Sequence, residues 1–205
     1  MTGTKEPRAE SREPRRAEDT PRLLTIHDVE PSSPAARAGV APGSLLVSLN
    51  GRPVQDALDL RFAETTERVD LVWRDGDGTE HRARLEKPED LPLGLEVDPL
   101  KMRACNNKCA FCFAHQNARG MRRALSFKDD DYRYSFLNGN FATLTNLSQA
   151  DMDRIVEQRL GPLYISVHAT DWALRNQILG NPKAPNVLEQ IAFFAAGRIH
   201  MHTQV

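Results

Sequence analysis

Cys105, Cys109 and Cys112 are the only cysteines of the chain, and all lie in the stretch ACNNKCAFCFAHQ. Such clustering, with no thiol elsewhere, is not chance. A structural zinc site would need a fourth ligand. His115, three residues after Cys112, is the local candidate, although its spacing does not fit the common paired-knuckle patterns. A redox dithiol would use Cys109 and Cys112 as Cys-x2-Cys and leave Cys105 unexplained. Close thiolates on a loop can also wrap an iron–sulfur cube. Three thiolates on four irons leave one iron open, and an open position is where metal sites do chemistry.

Other residues that could do chemistry follow the thiols. In KDDDYR three carboxylates, Asp129, Asp130 and Asp131, stand between Lys128 and Arg133. A charge run is usually a solvated face; its place between the thiol loop and the next strand favours a binding role, with a hydrogen-bonded structural turn as the alternative. SVHATD ends a predicted strand, where parallel α/β folds put ligand contacts. Ser166 and His168 alternate with Val167, so both are expected on one interior face. Arg175 can grip a carboxylate with both arms, yet on its helix it reads first as a surface residue. His200 and His202 alternate in RIHMHTQV. Lys108 and the loop's own N–H groups are expected to offset cluster charge.

These residues need a scaffold. With 40% apolar and 27% charged residues and a formal net charge of -1, the chain reads as a folded protein without a global pull toward nucleic acid or membrane. It has neither a membrane-length apolar run nor a secretory leader pattern, so a cytoplasmic location is expected. Residues 1–21 are Arg-, Glu- and Pro-rich and read as a disordered charged tail. Residues 22–97 read as a small β/α module. RLLTIHDV is a strand, and SPAARAGV a short helix opened by Pro34. SLLVSLNG is a strand entering an Asn-Gly turn, DALDLRFAET is a helix, and a hairpin turns at DGDG. From residue 98 to residue 205 the order is strand, helix, strand, helix, helix, strand, the pattern of a parallel sheet with crossover helices. The last strand runs to Val205, so a longer parent protein is expected.

SPAARAGVAPGSLLVSLNG resembles a PDZ domain of the bacterial kind, with Ser44 where that pattern usually has Asp. PDZ domains bind extended peptides or C-termini at a sheet edge, and LPLGLEV is similar to their carboxylate-binding loop. CNNKCAFCF, with Phe111 before the last cysteine, resembles the radical S-adenosylmethionine (SAM) superfamily. Together with GMRRALSFKDDDYRYSFLNGNFATLTNL, IVEQRLGPLYISVHATD and ILGN, it resembles bacterial PDZ-containing radical SAM iron–sulfur proteins that carry a C-terminal domain of unknown function. One departure lies in FAHQNARGM, so His115 receives no role.

The resemblance implies an α/β fold in which a PDZ-like module precedes an incomplete parallel (βα) partial barrel. It implies a 4Fe–4S cluster on Cys105, Cys109 and Cys112, with SAM on the open iron. Reduction by an external electron donor would cleave SAM to a 5′-deoxyadenosyl radical that acts on an unknown substrate. Phe111 would contact the adenine. Thr143, Thr145 and Asn146 would stand where the superfamily holds the SAM amine, a cation that needs acceptors. Ser166 and His168 would lie near the cofactor.

Overall fold

The computed structural model describes residues 23–118 and 120–205. The tail expected over 1–21 lies outside them. The chain divides between Leu100 and Lys101 into two compact units.

In the first unit, β1 (Leu24–Val29) leads to α1 (Pro34–Arg37), where the Ser33 hydroxyl accepts from the Ala36 N–H. β2 (Leu45–Leu49) then reverses through Asn50 and Gly51 into β3 (Arg52–Pro53). Both turn residues have left-handed φ, 51° and 75°, which is why Asn-Gly occupies this hairpin. A capping box between Asp56 and Asp59 starts α2 (Ala57–Glu64). β4 (Arg68–Arg74) and β5 (Glu80–Glu86) form the hairpin read from DGDG. LPLGLEV contributes β6 (Leu95–Val97), an antiparallel edge strand on β1, in the sheet order β5-β4-β2-β1-β6. Just before it, the Leu93 N–H donates to Glu64 Oε1 at 2.9 Å. Ile26, Leu46, Val54, Val69 and Leu93 fill the core and are fully buried.

The second unit starts with the thiol loop and the single turn α3 (Phe113–Gln116). α4 (Tyr132–Asn138) follows and has no counterpart in the sequence reading. Its aromatic-rich run lacks a clear helical stripe; the start signal is Asp131, whose carboxylate caps the Arg133 N–H. α5 (Gln149–Glu157) opens with a Ser148 cap, completed by Asp151. A left-handed residue, Arg159 at φ 52°, follows it. β7 (Leu163–Ser166), α6 (Trp172–Leu179), α7 (Val187–Ala196) and β8 (Met201–Gln204) complete the unit. β7 and β8 pair in parallel, and Ala142 bridges in parallel to Ile165. Among the described residues, parallel pairing is confined to these segments. The Ser135 hydroxyl docks α4 on β7 by accepting from the Tyr164 N–H. Ile155, Leu163, Ile165, Leu179 and Phe194 make the core, all fully buried. Among the described residues no helix is long and apolar enough to cross a membrane.

Candidate functional site

The thiol loop is held at its N-terminal end by the segment that follows it. The Cys105 N–H donates to Lys128 O and the Asp130 N–H to Arg103 O, with a bridge between Ala104 and Asp129. Cys112 sits at the N-cap of α3. All three cysteines are free and half-buried, and the Asn107 N–H points at Cys105 Sγ, 3.4 Å away. Burial pushes the Cys105 thiol up. It does the same to Cys109, helped by the neighbouring Cys105 and Cys112.

One cavity of about 480 Å³ receives all three thiols, together with Phe111, Thr143, Ser166 and His168. Seven of the nine residues that the resemblance assigns to cluster or cofactor therefore border a common space. Thr145 and Asn146 stand behind it. The Thr145 hydroxyl lies 3.1 Å from Asn107 Oδ1 and Asp130 Oδ2, and Asn146 Nδ2 donates to Asp130 O. His115 is exposed and does not border the cavity. Among the described residues no group of three or more His, Cys, Asp or Glu side chains is gathered tightly enough to hold a single metal ion.

The expected alternation of Ser166 and His168 does not explain their shared position. β7 ends at Ser166, and His168 takes a left-handed φ of 64°. That turn, not strand periodicity, brings its ring to 4.9 Å from Phe111, tilted by 59°. Burial, followed by the nearby Arg175, lowers His168, which favours a neutral imidazole. The lysine at the cavity is Lys128 rather than the exposed Lys108, and its Nζ donates to Asn107 O at 2.8 Å.

The acidic run is not a solvated face. Asp130 is 2% and Asp131 1% exposed. Asp130 accepts from the Thr143 N–H and hydroxyl, so it ties the thiol-loop partner strand to the strand end beside β7. Asp131 pairs with Arg133 at 2.6 Å and accepts from the Arg103 N–H. Asp129 alone borders the cavity, and it accepts from Asn140 Nδ2.

Comparison with known families gives two matches. A radical SAM-like domain model matches residues 87–205, more than half of the chain. The chain belongs to the radical SAM-like domain family. A PDZ domain model matches residues 25–74, within the first unit. Comparison with curated proteins gave no match.

Within the radical SAM-like domain, Arg175 departs most from its sequence reading. Rather than lying on a helix surface, it is fully buried. α6 buries Arg175 and Leu179, an i, i+4 stripe. The guanidinium satisfies the carbonyls at the strand ends, with Nε donating to Val167 O and Nη2 to Thr143 O and Ser166 O. Nη1 is buried with no hydrogen-bond partner. Burial pushes Arg175 down, while Asp130 and Cys109 push it up. A buried cation is costly unless an anion compensates it. The sequence signal was an arginine in the buried stripe of a helix, visible only once the neighbouring leucine's burial is known.

Proposed function

We propose that Cys105, Cys109 and Cys112 hold a 4Fe–4S cluster, and that the chain uses it to bind SAM and cleave it reductively. The observation that carries this reading is the shared cavity. The chain's only thiols border one space with an aromatic wall and polar strand ends. Each thiolate of a cubane binds a different corner, so its ligands ring a cavity and need not converge on a point. The donor set suits the group: three thiols share the cavity wall with the amine of Lys128.

A reduced cluster held by Cys105, Cys109 and Cys112 would supply the one electron that reductive cleavage of SAM requires. The chain's own residues position and shield that chemistry. Phe111 and His168 offer ring faces to the adenine. Thr143 and Ser166 present oxygens at the strand ends beside the thiols, suited to the amine. Thr145 and Asn146 act from behind, by holding the loop and Asp130 in place. Lys128 borders the cavity and places positive charge next to an anionic group. We read the parallel pairing of Ala142, β7 and β8 as the start of the partial barrel. The electron comes from an external donor, and the substrate is unassigned. β6, an edge strand of the sheet, supports a second reading, in which the PDZ module adds an extended peptide there.

Metal analysis of the anaerobically purified chain tests the cluster. We expect about four irons and as many sulfides per chain, with broad visible charge-transfer absorption. Stoichiometric zinc without visible absorption would overturn the reading.

A further inference from the structure

The C-terminal end of α6 touches the thiol loop through three adjacent residues. Leu179 O accepts from the Lys108 N–H at 2.8 Å. Gly180 follows with a left-handed φ of 57°, and a Cβ there would lie only 2.5 Å from Lys108 O. Asn181 Nδ2 donates to Asn107 Oδ1 at 2.8 Å. The other end of the Asn181 amide accepts from the Lys183 N–H, which fixes its orientation.

Asn107 is the residue on which these contacts converge. It is 1% exposed, and its side chain lies between the thiol loop, the strand end and α6. Its Nδ2 donates to the Thr143 hydroxyl at 2.9 Å, its Oδ1 accepts from Asn181, and its backbone O accepts from Lys128. The loop between Cys105 and Cys109 is thus fastened from both sides. A fully satisfied buried polar network specifies one geometry, and here that geometry sets the separation of two thiols.

We propose that Asn181, with the close backbone approach at Gly180, is a positioning latch that acts through Asn107 to set the thiol loop for its cluster. The inference rests on the reading of Cys105, Cys109 and Cys112 as cluster ligands. The latch itself is a property of the chain alone and can be measured without iron. Partners of metal ligands that act one shell out typically change affinity by about 10–100-fold when removed.

The test uses the full chain, as wild type, Asn181→Ala and Asn181→Asp. The aspartate keeps the shape but sets an acceptor against Asn107 Oδ1. Asn181 is partly exposed, so the isosteric variant is expected to fold even where the truncation does not. Amide hydrogen exchange over residues 105–112 of the iron-free chain should quicken about tenfold in each folded variant, with the unfolding midpoint little changed. In the loaded chain, iron loss to a ferrous chelator should quicken by about tenfold or more, and the electron paramagnetic resonance signal of the reduced cluster should shift. Unchanged loop exchange in the folded variants would overturn the latch, whatever the iron does. Faster exchange in a chain that takes up no iron would keep the latch as a loop clamp and overturn the cluster reading instead.

Discussion

Replacing Cys109 with alanine should remove the cluster, and with it every activity that depends on the cluster. Cys109 is the middle thiol of the three that border the cavity. Without it, a cluster bound here would keep only two protein thiolates. No further cysteine exists to substitute, and His115 stands away from the cavity. We expect iron to fall from about four per chain to a trace, with loss of the visible absorption. The iron-free fold should change little, because the side chain is only half-buried and a cysteine-to-alanine change removes one sulfur. Full iron content and full SAM cleavage in Cys109→Ala would refute the ligand assignment.

The largest effect on stability should come from Asp131→Ala. The Asp131 side chain is 0% and that of Arg133 8% exposed, and they are joined at 2.6 Å. The same carboxylate caps α4 and accepts from the Arg103 N–H beside the thiol loop. Truncation removes the counter-charge of a buried guanidinium, which keeps its bond to Lys101 O, and the acceptor of the Arg133 and Arg103 N–H groups. Breaking a buried pair in this way costs about 3–5 kcal/mol, a large share of a domain's typical stability of about 5–15 kcal/mol. Denaturant unfolding should show that loss in the second unit; a change below about 1 kcal/mol would contradict the account. Burial acts to raise Asp131, but the Arg133 and Arg103 hydrogen bonds outweigh it and hold the carboxyl below its ordinary 3.8. Its contribution is therefore complete above pH 3.8 and fades as pH falls through the depressed value. Asp151, held low by Arg103 against the same burial cost, adds in the same direction.

Local chemistry made much of this legible in the sequence. The Asn50-Gly51 turn, the Ser33, Asp56 and Ser148 helix starts and the strands of the first unit follow from turn and cap residues that act within a few positions. The three thiols marked themselves by their spacing and Ser166 by its place at a strand end, whereas Phe111 and Thr143 were named through the family resemblance. What escaped depends on tertiary partners. α4 has its start signal inside an acidic run whose place favoured a binding role. The structural roles of Asp130 and Asp131, and the burial of Arg175, emerge only once their backbone partners are known. His168 reaches the cavity through a left-handed turn that alternation does not foresee. Asn107, Gly180 and Asn181 are ordinary loop residues until residues 107 and 181, far apart in sequence, are brought within hydrogen-bond reach.

SAM cleavage at this cavity is open to direct measurement. The direct measurement is 5′-deoxyadenosine formed by the anaerobically loaded chain with SAM and dithionite. The account predicts its formation by wild type and none above background by Cys109→Ala. A chain that carries a full, reduced cluster and leaves SAM intact would contradict it.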